Sequence, residues 1–167
     1  IGTATRFGPE GEPSAIAKQP IRQSVWLGLE GFAGDEQADR LHHGGPDKAI
    51  HHYPRDHYAW WREQIGPHPL LTAAGAFGEN IASFGLTETT VCLGDRFRIG
   101  GALIEVSHGR QPCWKLGHRL GNSKIPAMIV STARSGWYYR VIKPGMVAPD
   151  DRLELTERPL PEWSVAE

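Results

Sequence analysis

Cysteine is scarce in this chain: two among 167 residues, Cys92 and Cys113. Two cysteines cannot build the disulfide framework of a small secreted protein, so a reducing cytoplasm is the expected compartment. Net charge is scarce too, because 18 Lys and Arg stand against 19 Asp and Glu. That balance offers no bulk attraction to nucleic acid or to anionic membranes, and neither is an expected partner. No apolar run approaches the roughly 18 residues needed to cross a bilayer. No secretory leader pattern stands at the start. Neither a His-Glu-x-x-His nor a Cys-x-x-Cys run is present, which removes the two most specific zinc signatures. What the chain does have is 20 glycines, 13 prolines, eight histidines and six tryptophans. The length suffices for one domain with a real core, and the glycines predict many turns and short strands.

Strand-like alternation recurs at residues 2–7, 24–28, 96–99, 102–107, 137–142 and 152–156, with turns such as Gly100-Gly101 and Pro144-Gly145 between them. One helix is expected between Pro54 and Gly66, with Tyr58, Trp61 and Ile65 on one stripe. Two shorter helices are expected at 114–120 and 125–134. Residues 91–99 and 147–155 share the pattern Val-x-x-x-Asp-Arg followed by alternating apolar residues. This reads as one strand entry used twice: a turn, an Asp bonded to its own backbone, then a strand. Such entries in a glycine-rich, strand-rich chain predict a mainly β fold with peripheral helices, closed into a barrel over 1–156. The Pro-rich residues 157–167 read as a linker to a further segment.

Cys113 is the most informative residue. It stands where an apolar strand ends and a helical pattern begins, between Arg110-Gln-Pro and Trp114-Lys115. The free N–H groups of a helix's first turn, with Arg110 and Lys115 nearby, favour a thiolate that is reactive or able to ligate a soft metal. Cys92 lies in a strand entry and reads as an inert core residue. The densest polar stretch runs from Gly34 to Tyr53 and contains Asp35, Glu36, His42, His43, Gly44-Gly45, Asp47, Lys48, His51 and His52. Its Gly-Gly turn lets backbone approach a ligand, and its N–H groups with Lys48 can meet an anion. Lys18 is a further anion contact, and Glu79-Asn80 after a glycine turn can orient a ligand. Lys18, Lys48 and Arg110 are expected to converge beside Cys113. Adjacent histidines on an extended chain point to opposite faces, so one of each pair faces any given site.

Together the runs Ser14–Lys18, Gly34-Asp-Glu-Gln-Ala38, His43-Gly-Gly-Pro-Asp-Lys-Ala49, His52-Tyr-Pro54, Ala76-Phe-Gly-Glu-Asn80, Gly85-Leu-Thr-Glu88, Gly94-Asp95 and Arg110-Gln-Pro-Cys113 resemble the MOSC domain, in its stand-alone YiiM-like branch. The resemblance implies a MOSC-type β-barrel whose cleft ends in the reactive cysteine. It implies a pterin-based molybdenum cofactor, with Cys113 as its sulfur ligand to molybdenum. Lys18, Asp35, Glu36, Asp47, Lys48, Glu79, Asn80 and Arg110 are then the expected cofactor contacts, and His43 and His52 join Cys113 as catalytic candidates. His43 and His52 are the matching members of their pairs, so they are expected to face Cys113, with His42 and His51 turned away. An imidazole of ordinary pKa there could donate a proton. The implied activity is reduction of N-hydroxylated bases and related small molecules, with electrons from a partner reductase, and contacts for a homodimer. Sulfurases that carry this module also have a pyridoxal-phosphate domain, which nothing in this chain is expected to host. One departure is Gly109, where the family often has proline. Two alternatives stay open: a sulfur or cofactor carrier using Cys113, and a metal-dependent hydrolase built on the histidines.

Overall fold

The computed structural model describes residues 1–37 and 44–167. The strands are β1 (Thr5–Phe7), β2 (Glu12–Ser14), β3 (Val25–Gly28), β4 (Gly31–Phe32), β5 (Ile50–His52), β6 (Arg96–Ile99), β7 (Ala102–Gly109), β8 (Trp137–Lys143), β9 (Gly145–Val147) and β10 (Glu154–Glu157). The α-helices are α1 (His57–Ile65), α2 (Trp114–Arg119) and α3 (Ile125–Thr132). Mainly β with peripheral helices is therefore the observed class.

The closed barrel is not found. Among the described residues the strands form three sheets: a β1–β2 hairpin, a five-stranded sheet ordered β10-β6-β7-β8-β5, and a three-stranded sheet ordered β4-β3-β9. The hairpin strands and the edge strands β4, β5, β9 and β10 are two to four residues long, and among the described residues no ladder joins one sheet to another.

The central sheet explains the placement of the site. Strand β7 alternates, with Ala102, Ile104 and Val106 buried, and β8 does the same with Trp137, Tyr139 and Val141. Directly opposed residues in a ladder share a face. Because Ile50 pairs with Tyr139 and His52 with Trp137, those two join the core face. His51 pairs with Tyr138 and goes to the opposite face. The core face meets Leu27, Phe32 and Val147 of the smaller sheet. A second core, of Tyr53, Trp61, Phe77, Leu116 and Ile129, lies under the three helices.

The repeated strand entry is present in both copies. Asp95 Oδ2 accepts the Cys92 N–H at 2.9 Å, and Asp151 Oδ2 accepts the Ala148 N–H at 2.7 Å. The two strands that follow, β6 and β10, pair antiparallel. Helix α1 begins three residues later than Pro54 suggested, with Asp56 at its cap, and stops at Gly66, whose φ of 80° is left-handed. Residues 158–165 pack against the domain. Arg158 grips the fully buried Asp95 carboxylate at 2.9 and 2.7 Å. The Val165 N–H then reaches the Val91 carbonyl at 2.9 Å. No helix among the described residues is long and apolar enough to cross a membrane.

Candidate active site

Strand β7 ends at Gly109, and the Arg110 N–H donates to the Gly136 carbonyl at 3.0 Å. Pro112 then turns the chain, and Cys113 takes an extended conformation as the cap of α2. The half-buried Cys113 opens into a cavity of about 110 Å³ on the outer face of the central sheet. Lys18, Lys48, Arg110 and Lys115 all line this cavity. The three cations expected to converge thus share a wall with the thiol, and Lys115 adds a fourth. Arg110 is only 8% exposed, yet its Nη1 has no partner among the described residues.

Two carboxylates also line the cavity, but their oxygens serve the fold. Asp35 Oδ1 accepts from Lys18 Nζ at 2.5 Å and from the Gly2 N–H at 2.6 Å, while Oδ2 accepts from Asn80 Nδ2 at 2.7 Å. Asn80 Oδ1 accepts the His51 N–H at 2.9 Å. The Asp35–Asn80 pair therefore ties the Lys18 segment to β5. Glu36 accepts the Ala4 N–H at 2.6 Å.

Two expected cofactor contacts do not line the cavity. Glu79 is buried against its own loop, accepting from Tyr58 Oη and from the Gly75 and Phe77 N–H groups. Asp47 is exposed and pairs with Arg140 at 2.8 Å.

For the His51–His52 pair the sidedness is the reverse of the expectation. The ring of His51 lines the Cys113 cavity, tilted against Tyr138 with ring centroids 5.3 Å apart, and Tyr138 meets His108 at 5.2 Å. His52 points into the core, with Nδ1 at 3.0 Å from Tyr139 Oη and Nε2 at 2.9 Å from Ser83 Oγ. The alternation along the strand holds; the register with Trp137 and Tyr139 decides which member faces in. Burial drags the His52 pKa down to about 3. Burial, and next the Arg110 charge, push that of His51 well below the ordinary value. Both rings are neutral at neutral pH, so neither is the ordinary imidazole the proton-donor reading required. His42 and His43 lie outside the described residues. His57 pairs with Glu88 at 2.6 Å. Among the described residues no group of three or more His, Cys, Asp or Glu side chains could hold a metal ion, so the hydrolase reading gains no centre there.

Sequence reasoning placed Lys115 beside Cys113 but missed His51 and Tyr138 as cavity walls. Only the β5–β8 register, a non-local pairing, brings His51 and Tyr138 to that face.

The MOSC domain model matches residues 39–154. The chain belongs to the MOSC domain family. It is 48% identical over 150 residues to Protein YiiM of Escherichia coli, covering 90% of this chain and 67% of that one. It is 40% identical over 153 residues to a protein named Reductase from Gibberella moniliformis, covering 91% of this chain but 27% of the relative. The crystal structure of YiiM from Geobacillus stearothermophilus superimposes with a TM-score of 0.81 at 37% identity, covering 99% of this chain and 76% of that one. The fold is thus that of a MOSC β-sheet domain, and this MOSC chain spans only part of each relative's length.

Proposed function

We propose that this MOSC chain is the molybdenum-cofactor-binding part of a reductase for N-hydroxylated bases and related small molecules, drawing electrons from a separate reductase. The observation that carries the reading is the pairing of the Cys113 thiol with a buried, unpartnered Arg110 nitrogen in one cation-lined cavity. A thiolate is a soft ligand suited to molybdenum. A guanidinium and several ammonium groups suit the phosphate at the end of the pterin arm. A relative bearing the name Reductase is consistent with the redox part.

The donor set fits such a group, and the volume sets how. About 110 Å³ falls below the roughly 300–1,000 Å³ of pockets that enclose a whole small molecule. The cavity alone would not enclose a whole pterin cofactor, so its residues would hold only a part of one. The cofactor would supply two-electron redox chemistry at its metal. The chain's own residues would bind and orient it: Cys113 Sγ would hold the metal, and Arg110 and Lys48 would meet anionic oxygens. Asp35 and Asn80 fix Lys18 and β5 rather than touching the pterin. The net reaction adds two electrons and two protons, breaks the N–O bond and releases water. Neutral His51 and His52 do not supply those protons as imidazolium.

The test is metal analysis of protein made in a cofactor-producing host, followed by turnover with an N-hydroxylated base and a chemical reductant. Wild type is expected to hold molybdenum with pterin near one per chain and to release the reduced base. Cys113→Ser is expected to lose most of the molybdenum and at least about a hundredfold in kcat/KM, a loss of about 2.7 kcal/mol of transition-state binding. Molybdenum without turnover would favour the carrier reading. Stoichiometric zinc in its place would overturn both.

A further inference from the structure

A second cavity, of about 660 Å³, does not contain Cys113. It lies between the segment around Lys18, the loop before and after Ile81, the end of β6 and the loop after β9. Its walls are mainly apolar, built by Phe32, Ile81, Leu86, Ile99, Val147 and Leu153. It abuts the Cys113 cavity, because Lys18 and Asn80 line both.

The two cavities differ in what they ask of a ligand. In the small one, Arg110 Nη1 and His51 Nε2 are buried without partners. In the large one no lining side chain has a buried polar atom left unpartnered. Its buried polar groups are already used, while the Arg152 and Gln19 side chains are exposed to solvent at its lining. Lys18 is paired with Asp35, Glu79 with its own loop, Asp151 with the Ala148 N–H, and Ser83 with His52. A satisfied apolar wall rewards buried apolar surface and penalises a charge brought in without a partner. The volume sits inside the range of pockets that enclose whole small molecules.

We propose that the 660 Å³ cleft is the substrate chamber, and that it selects uncharged, mainly apolar N-hydroxylated compounds such as N-hydroxylated arylamines over nucleotides and other anions. The apolar body lies among Phe32, Ile81, Ile99 and Val147. The polar N–O end meets the wall shared with the Cys113 cavity, at Lys18 and Asn80. The selection rests on the reductase reading for the identity of the reacting group, but the cleft's preference for uncharged apolar bodies is readable without turnover.

The test uses the 167-residue chain and two fluorescent probes sharing one aromatic body. N-phenyl-1-naphthylamine is uncharged, and 1-anilinonaphthalene-8-sulfonate carries a fixed negative charge. The uncharged probe is expected to bind at least about tenfold more tightly, a difference of about 1.4 kcal/mol. Ala82→Trp, which fills the cleft, and Leu153→Glu, which charges it, are each expected to weaken that binding by about tenfold or more. Melting temperature and the Cys113 alkylation rate serve as folding controls. An N-hydroxylated arylamine should displace the probe and an N-hydroxylated nucleotide should not. Equal binding of the two probes, equal displacement by the nucleotide, or binding unchanged in both variants would overturn the proposal. So would loss of probe binding on self-association, which would give the cleft to a second copy. Absence of molybdenum would overturn the reductase reading and leave the probe result standing, so the two failures are separable.

Discussion

Arg110 is buried with one guanidinium nitrogen unpartnered. A buried donor left unpaired costs about 1–3 kcal/mol, more when charged. Among the described residues no side chain or backbone group meets that nitrogen, which leaves it free to meet a bound anion. Replacing Arg110 with an apolar side chain of similar length should remove the penalty and the binding together. Arg110→Met is therefore expected to melt at the same temperature as wild type, or a few degrees higher, in the absence of anions. Inorganic phosphate should raise the melting temperature of wild type and not of the variant. A thermal scan with and without phosphate decides this, and a variant that melts much lower without phosphate would show that Arg110 has a structural role. His52 makes the opposite case. Its neighbours hold it as a neutral core imidazole, with a pKa of about 3 against an ordinary value of 6.5. Between those values the unfolded chain binds a proton that the folded chain refuses. Stability conferred by the neutral ring is thus complete above pH 6.5 and is lost as pH falls toward 3. His51 contributes with the same sign. Denaturant titrations from pH 7 to 4 should show stability falling steadily, and His52→Gln should flatten that slope even where it lowers stability at pH 7.

At the scale of elements, what was legible depended on whether the signal was local. The Asp95 and Asp151 turns were readable because an Asp three residues past an N–H closes a short ring within one segment. Alternation in β7 and β8 was readable because one face of each is buried and the other is not. Strands β2, β4 and β9 are two or three residues long, and no period can be read from so few. β5 is buried on both faces, so its histidines carried no local sign of which way they point. Only pairing with β8 supplied it. The cluster of cations around Cys113 was legible from chemistry, whereas Asp35 and Glu79 looked like ligand contacts because a sequence does not show which carboxylates the backbone has already claimed. The joint that sets the β5–β8 register is Gly136. Its φ is 68°, and a Cβ there would come within 2.3 Å of the His52 carbonyl and 3.1 Å of His51 Nε2. Both the left-handed backbone and the contact penalise any side chain. Gly136→Ala is expected to lose about 2–4 kcal/mol in urea unfolding, within the range of strain-driven effects. A loss under about 0.5 kcal/mol, typical of surface changes, would mean the joint is looser than this.

At the scale of the molecule, two cores are held to one another by segments far apart in sequence, and the last ten residues close the far edge. Arg158 binds Asp95, whose carboxylate also fixes the turn that starts β6. Beyond it the chain covers Cys92, whose Sγ lies 3.6 Å from the Pro161 carbonyl. Cys92 is only 4% exposed, and burial raises its thiol pKa, while Cys113 is half-buried at a cavity wall. In the intact fold, alkylation resolved by mass should therefore fall on Cys113 well before Cys92, because the thiolate is the reactive form and access is needed to reach it. The tail makes this a test of assembly as well as of chemistry. Arg158→Ala leaves the Asp95 charge buried with fewer partners, and removing one partner of a buried pair costs up to about 3–5 kcal/mol. The arginine side chain is itself about a third exposed, so water can replace part of what it gives, and about 1–2 kcal/mol is the expected loss. The same change should release the tail locally and speed Cys92 labelling, with Cys113 labelling unchanged. Faster labelling of both cysteines together would instead report global unfolding. Unchanged Cys92 labelling would show that the tail is held by its backbone bonds at Val91 and Leu93 rather than by Arg158.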